Sequence, residues 1–152
     1  MKKRLVSLNA VLVLAFVCCF GGVAFAQQDI EFMTDWRIYP GGSSVYSNDM
    51  TGRTCNKDIA GVPAVHRVTK WTHVPESTGT YINKTYSAVY LNGHSNRVSD
   101  GFVTFTAAAR KLIPFASGYG ARGGGYILKI QSASESQNQY FITGSWAPDH
   151  YE

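Results

Sequence analysis

The side chains in this chain that could support metal binding or catalysis are four histidines, a few cysteines and a scatter of carboxylates. His66 and His73 stand seven positions apart, so one continuous strand would aim them at opposite faces and make them a poor metal pair. His94 falls in the turn-like run Asn92-Gly93-His94-Ser95-Asn96 and His150 near the C-terminus, and no H-x-x-x-H or C-x-x-C frame joins either to a partner. A nucleophile elbow needs G-x-S-x-G, but Gly93-His94-Ser95-Asn96 continues with Arg97 instead of glycine. Gly118, Gly120 and Gly123 spell G-x-G-x-x-G, yet Gly124 and Gly125 lead into a strand-like segment, so no helix N-terminus waits there for a pyrophosphate. Residues 117–125 read instead as a flexible connection with Tyr119 and Arg122 at its tip. Asp29 and Glu31 share a strand face, the kind of placement from which a hydrolytic acid pair is built, while Asp35, Asp49, Asp58, Asp100 and Asp149 are dispersed. Exposed, solubilising acids are the simpler expectation for all of them. No catalytic residue, metal ligand or cofactor site is therefore assigned, and the chain is expected to fold without a cofactor.

The N-terminus carries an export pattern. Lys2, Lys3 and Arg4 precede an apolar run over residues 5–20, and Ala24-Phe25-Ala26 supplies the small-x-small cleavage signal. The strongest apolar stretch, residues 10–20, is shorter than the roughly 20 residues that span a bilayer, so a stable membrane anchor is not expected. Residues 1–26 are read as a signal peptide and residues 27–152 as a single secreted, extracellular domain. Three of the 14 basic residues lie in the leader and all 10 acidic residues beyond it, which leaves the mature region with 11 basic against 10 acidic side chains. Such a balance argues against nucleic-acid binding, which needs a concentrated basic surface. Cys18 and Cys19 leave with the leader, so Cys55 has no partner for an intramolecular disulfide and is expected to be buried. Asn83-Lys84-Thr85 fits a glycosylation acceptor.

Positioning elements follow from alternation and turns. Residues 30–39 predict a first strand with Phe32, Trp36 and Ile38 on one side and Glu31, Asp35 and Arg37 on the other. Residues 40–58 read mainly as loop, with a short strand around Val45 and Tyr46. Residues 64–74 predict a second long strand with His66 and Lys70 opposite Val65, Thr69 and Trp71, ended by a break over residues 75–79. Residues 81–91 predict a third, and Asn92-Gly93 a tight hairpin to a return strand over residues 97–106, with a bulge at Asp100-Gly101. Residues 107–112 suit one or two helical turns, and residues 126–130 and 139–146 a closing hairpin in which Trp146 faces the core with Tyr140 and Ile142. These elements predict an all-β fold: one antiparallel β-sandwich or small barrel of about six to seven strands with at most one short helix.

The closing segment Tyr126-Ile127-Leu128-Lys129, a polar turn, then Tyr140-Phe141-Ile142-Thr143-Gly144-Ser145-Trp146 and a short acidic tail resembles the end of a group of small secreted Gram-positive bacterial proteins of unknown function, loosely related to lactococcin-type bacteriocins. The resemblance covers the leader, the early aromatic strand and this final segment. It implies secretion and a β-rich fold, and it brings no catalytic residue.

These readings converge on a secreted, non-catalytic binding or interaction module, bacteriocin-like or acting at a cell surface. Its partner would be a surface, cell-wall or protein ligand, with Trp36, Trp71, Tyr119 and Arg122 as candidate contacts and Trp146 as a further tempting one. Triads also assemble from distant residues, so a small secreted hydrolase or hydrolase inhibitor stands as the alternative.

Overall fold

The computed structural model describes residues 29–74 and 84–150. The predicted leader, the predicted break at residues 75–79, the start of the third predicted strand and Asn83 of the acceptor pattern lie outside them. Two antiparallel sheets, neither closed on itself, form an all-β sandwich. The chain runs through β1 (Glu31–Ile38), β2 (Ser44–Tyr46), the short helix α1 (Ser47–Thr51), β3 (Cys55–Asn56), β4 (Ala64–His73), β5 (Thr85–Leu91), β6 (Val103–Phe105), β7 (Ala109–Ile113), β8 (Gly125–Ser132) and β9 (Tyr140–Ala147). The four-stranded sheet has the order β1-β9-β4-β7 and the five-stranded sheet β2-β8-β5-β6, with β3 also pairing β8. Among the described residues no helix is long and apolar enough to cross a membrane.

The alternation that predicts β1 and β4 is broken in each by one extra residue. Met33 sits opposite Gly144 and Trp36 opposite Ile142, so three steps of β1 match two of β9. The surplus falls at Asp35, which adopts a left-handed φ of 50° that aspartate tolerates better than most residues. Thr143 pins this bulge, its Oγ1 accepting from the Asp35 amide at 3.3 Å and donating to the Asp35 carboxylate at 3.0 Å. Glu31 and Met33 therefore join Trp36 and Ile38 on the inner face, and Phe32 turns outward with 72% exposure, the reverse of the simple parity reading. In β4 a matching bulge lies between Val68 and Lys70, where the Thr69 hydroxyl donates to the Thr143 carbonyl at 3.0 Å. It carries the inner face from Ala64, His66 and Val68 over to Trp71 and His73, so the two histidines share a side despite their odd spacing.

Other expectations are corrected by long-range pairing. Residues 109–113 form β7 against β4 rather than a helix: so short a segment gains little as an isolated helix, whereas the edge of β4 offers a ready ladder. β8 and β9 both exist but do not form a hairpin; β8 lies in the five-stranded sheet and β9 in the four-stranded one. The Asn92-Gly93 turn does return the chain, with Tyr90 bridging Arg97, but the positive φ values fall at Gly93 (111°) and His94 (65°), one position later than a two-residue turn would place them. The return strand expected over residues 97–106 with a bulge at Asp100-Gly101 is not continuous: Arg97 and Ser99 make isolated bridges, the chain bends at Gly101, φ 81°, and only Val103–Phe105 forms β6. The presumed loop before Asp58 holds α1 and β3 besides β2, and the strands among the described residues number nine against the six to seven expected.

Between the sheets Met33, Trp36, Ile38, Val68, Ile142 and Trp146 meet Val89, Phe105, Tyr126, Leu128 and Ile130. His66 crosses this gap, its Nδ1 3.0 Å from the Ser87 hydroxyl and its ring centroid 4.7 Å from that of Phe105. Cys55 is fully buried, as expected for a lone thiol.

Candidate functional site

Three buried polar clusters answer the question of chemistry raised by the acids and Cys55. Glu31, 2% exposed, accepts the indole N–H of Trp146 at 2.7 Å on Oε2 and the Thr51 hydroxyl on Oε1, with the Cys55 thiol 3.8 Å from Oε2. Burial, then the charges of Asp29 and Glu31, push the Cys55 thiol far above its ordinary value, which keeps it protonated and unreactive. Asp29 accepts from Arg53 at 2.6 Å and from the Asn56 amide at 2.8 Å. The Asp29 and Glu31 oxygens thus fasten the start of β1 to α1 and β3 instead of facing a substrate. In the second cluster, Lys57 and Asp149 are both wholly buried. Lys57 Nζ donates to Asp149, Val62 O and Pro148 O, each at 2.8 Å, and lies 4.6 Å from the Phe115 ring centroid. Asp149 also accepts from the Asp58 and Ile59 amides. The third is the His66–Ser87 pair, closed off from solvent. All three are braces.

The predicted contacts divide. Trp36 is 4% exposed and Trp71 is packed against the core, so both rings are largely spent on the fold. Trp146 is a core residue with 1% exposure, as its strand parity predicts. Tyr119, 48% exposed, and Arg122 do stand on the surface, in a loop whose Gly120 and Gly123 hydrogen-bond with Gly61 and Lys57.

A different surface collects aromatic rings around a cation. Residues directly opposite in an antiparallel ladder point to the same face. Leu128 faces Val89, and Ile130 faces Val45 and Ser87, on the core side; the intervening positions must therefore turn outward. They are Tyr46 opposite Lys129, Lys129 opposite Ala88, Tyr90 opposite Ile127, and Tyr86 opposite Gln131. Small Ala88 leaves room above the sheet, and neighbouring side chains close over it and Ile127 so that both are fully buried on this outer face. Lys129 Nζ lies 5.7, 5.5 and 5.8 Å from the ring centroids of Tyr46, Tyr90 and Phe102, within cation–π range of all three. Its partial burial lowers the ammonium below the usual lysine value, and burial raises the Tyr46 phenol above its own. Tyr46 packs edge-on to Tyr90 at 5.8 Å and stacks flat on the His94 ring at 4.1 Å. His94 is held there by its bond to Asn48 Oδ1, 2.8 Å, and by Asp49 at 3.4 Å. Arg97 lies over Phe102 at 5.2 Å. Among the described residues no carboxylate pairs with Lys129 or Arg97. Beside this group, a depression of about 230 Å³ opens between Tyr86, Phe102 and Gln131.

Sequence reasoning missed this face because its members come from β2, β5, β8 and the segment before β6, and only register unites them. One local signal was available: Tyr86 and Tyr90 sit four apart in β5, an even spacing that puts both on one side. Among the described residues no three histidine, cysteine or acidic side chains converge as a metal site would need. No protein-family model matches this chain, and no curated protein matches it.

Proposed function

We propose that this protein is a secreted, non-catalytic binding domain that holds an extended sugar polymer, such as cell-surface polysaccharide, against the outer face of the five-stranded sheet. The observation that carries the reading is the gathering of the half-buried Tyr46 and Tyr90 and the exposed Phe102 around Lys129 on the outer face of the five-stranded sheet. Ring faces offer large apolar area at small entropic cost, which suits the C–H faces of sugars. The Lys129 ammonium and the Gln131 amide supply donors for hydroxyl and carboxylate oxygens beside those rings. The Tyr86–Gln131 depression, about 230 Å³, is smaller than the roughly 300–1,000 Å³ of sites that enclose a drug-sized ligand, so it suits one ring of a longer chain. A hydrolase reading gains nothing from the buried acids, because Glu31 and Asp149 are enclosed by structural partners.

Affinity electrophoresis of the purified chain through gels containing soluble polysaccharides, with pull-down on insoluble cell-wall material, tests the proposal. Tyr90→Ala and Phe102→Ala should each weaken retention about tenfold while the melting temperature changes little, since loss of a stacked, partly exposed ring costs on the order of 1–2 kcal/mol. Retention unchanged in both variants would sink the reading.

A further inference from the structure

On the opposite side of the sandwich the ladder of the four-stranded sheet places two guanidinium side chains where charge should repel. Arg67 of β4 is directly opposite Arg110 of β7, and Ser145 of β9 directly opposite Arg67. Phe32 of β1 continues the same row, opposite Ser145. Side chains so paired share a face with Cβ atoms about 5 Å apart, and like charges in that relation destabilise a sheet. Both arginines are exposed, and among the described residues no carboxylate neutralises either. Arg110 also donates to His150 Nδ1 at 2.6 Å. Two depressions adjoin the pair, one of about 540 Å³ over Thr69 and Ala108 and one of about 210 Å³ reaching Ser145, and Arg67 and Arg110 line both.

We propose that Arg67 and Arg110 form an oxyanion site that takes a phosphate group, with the Ser145 hydroxyl as a third donor. Two planar forks side by side can each present paired N–H groups to one tetrahedral anion, a geometry that guanidinium satisfies and a lysine ammonium does not. The anion would also remove the repulsion between the forks, so binding and sheet stability are linked. Phe32, 72% exposed at the end of the row, gives the site an apolar neighbour. The phosphate can belong to a soluble phosphate ester or to a lipid headgroup, and the inference stands apart from the sugar-binding proposal because it concerns the other sheet.

The test titrates the purified chain with inorganic phosphate and with glycerol phosphate, following backbone amide NMR shifts and thermal unfolding. Saturable shifts should centre on Arg67, Arg110 and Ser145, and phosphate should raise the melting temperature in a dose-dependent way. Arg67→Gln and Arg110→Gln should each weaken binding about tenfold or more, as expected on losing charge-assisted hydrogen bonds. Each should also raise the melting temperature in phosphate-free buffer by relieving the repulsion, a readout that a misfolded variant cannot give. Arg67→Lys should recover little, and Lys129→Gln on the opposite face should bind phosphate normally. Sedimentation with phosphatidylglycerol but not phosphatidylcholine vesicles, lost in Arg67→Gln and Phe32→Ala, would identify a lipid headgroup; phosphate binding without sedimentation would identify a soluble ester. Shifts spread over all surface cations without saturation, or equal binding by Arg67→Gln, would overturn the proposal.

Discussion

Lys57 and Asp149 show why identity alone misleads about a charged residue. An acid near a C-terminus reads as solubilising, yet Asp149 is fully buried and accepts from Lys57 and two backbone amides. Nothing local marks it, because its donors lie some ninety positions earlier in the chain. Lys57→Met should cost about 3–5 kcal/mol in urea unfolding, since it strands a buried carboxylate that was paired. His66 supports a second expectation. Burial drives its imidazole down to about 3 from 6.5, so the folded protein keeps it neutral through mildly acid conditions. The unfolded chain binds that proton as pH falls below about 6.5, so His66 adds no pH dependence above that value and progressively favours unfolding down to about pH 3. The slope approaches about 1.4 kcal/mol per pH unit. Melting temperature against pH should therefore fall less steeply over this window in His66→Leu than in the parent, whatever the variant's absolute stability.

At the scale of elements, the strands were legible where they could be read one at a time. β1, β2, β4 and β5 lie within or close to the segments that alternation marks, and the return from Gly93 follows from its turn chemistry. Facing was not legible after a bulge: parity puts Phe32 with Trp36, and the extra residue at Asp35 puts Glu31 there instead. Both bulges lie against β9 around Thr143 and Gly144, where the strands approach so closely that Gly144 has no room for a side chain. A Cβ at Gly144 would stand 2.0 Å from the Arg67 carbonyl oxygen, a backbone atom that cannot swing aside. Gly144→Ala should disrupt the β4–β9 ladder and lower stability by several kcal/mol, on the order of other severe overpacking. Hydrogen exchange should show the loss concentrated in β4 and β9. If the variant unfolds like the parent, the close approach of these strands is wrong.

For the whole molecule, composition and turn spacing were enough for an antiparallel all-β fold but not to choose a sandwich over a small barrel, nor to say which strand joins which sheet. Neighbourhood in sequence suggested that β8 and β9 pair, whereas the connection over residues 133–139 carries the chain from one layer to the other. The aromatic face was hidden for the same reason: Tyr46 meets Lys129 through register, which depends on every strand between them. The order of strands also has a temporal consequence. β9, the last strand described, lies between β1, the first described, and β4, so the four-stranded sheet has no middle until synthesis has passed β9, more than a hundred residues after β1. Partners so distant must be found by search, and refolding in milliseconds to seconds is expected rather than the microseconds of a helical bundle. Stopped-flow fluorescence of the core tryptophans would time it. A product cut off before Tyr140 would leave β1 without its ladder partner and β4 open along one edge, each a template for another chain. Premature termination should thus yield self-associating fragments, seen as fast-sedimenting material, and not a smaller soluble domain.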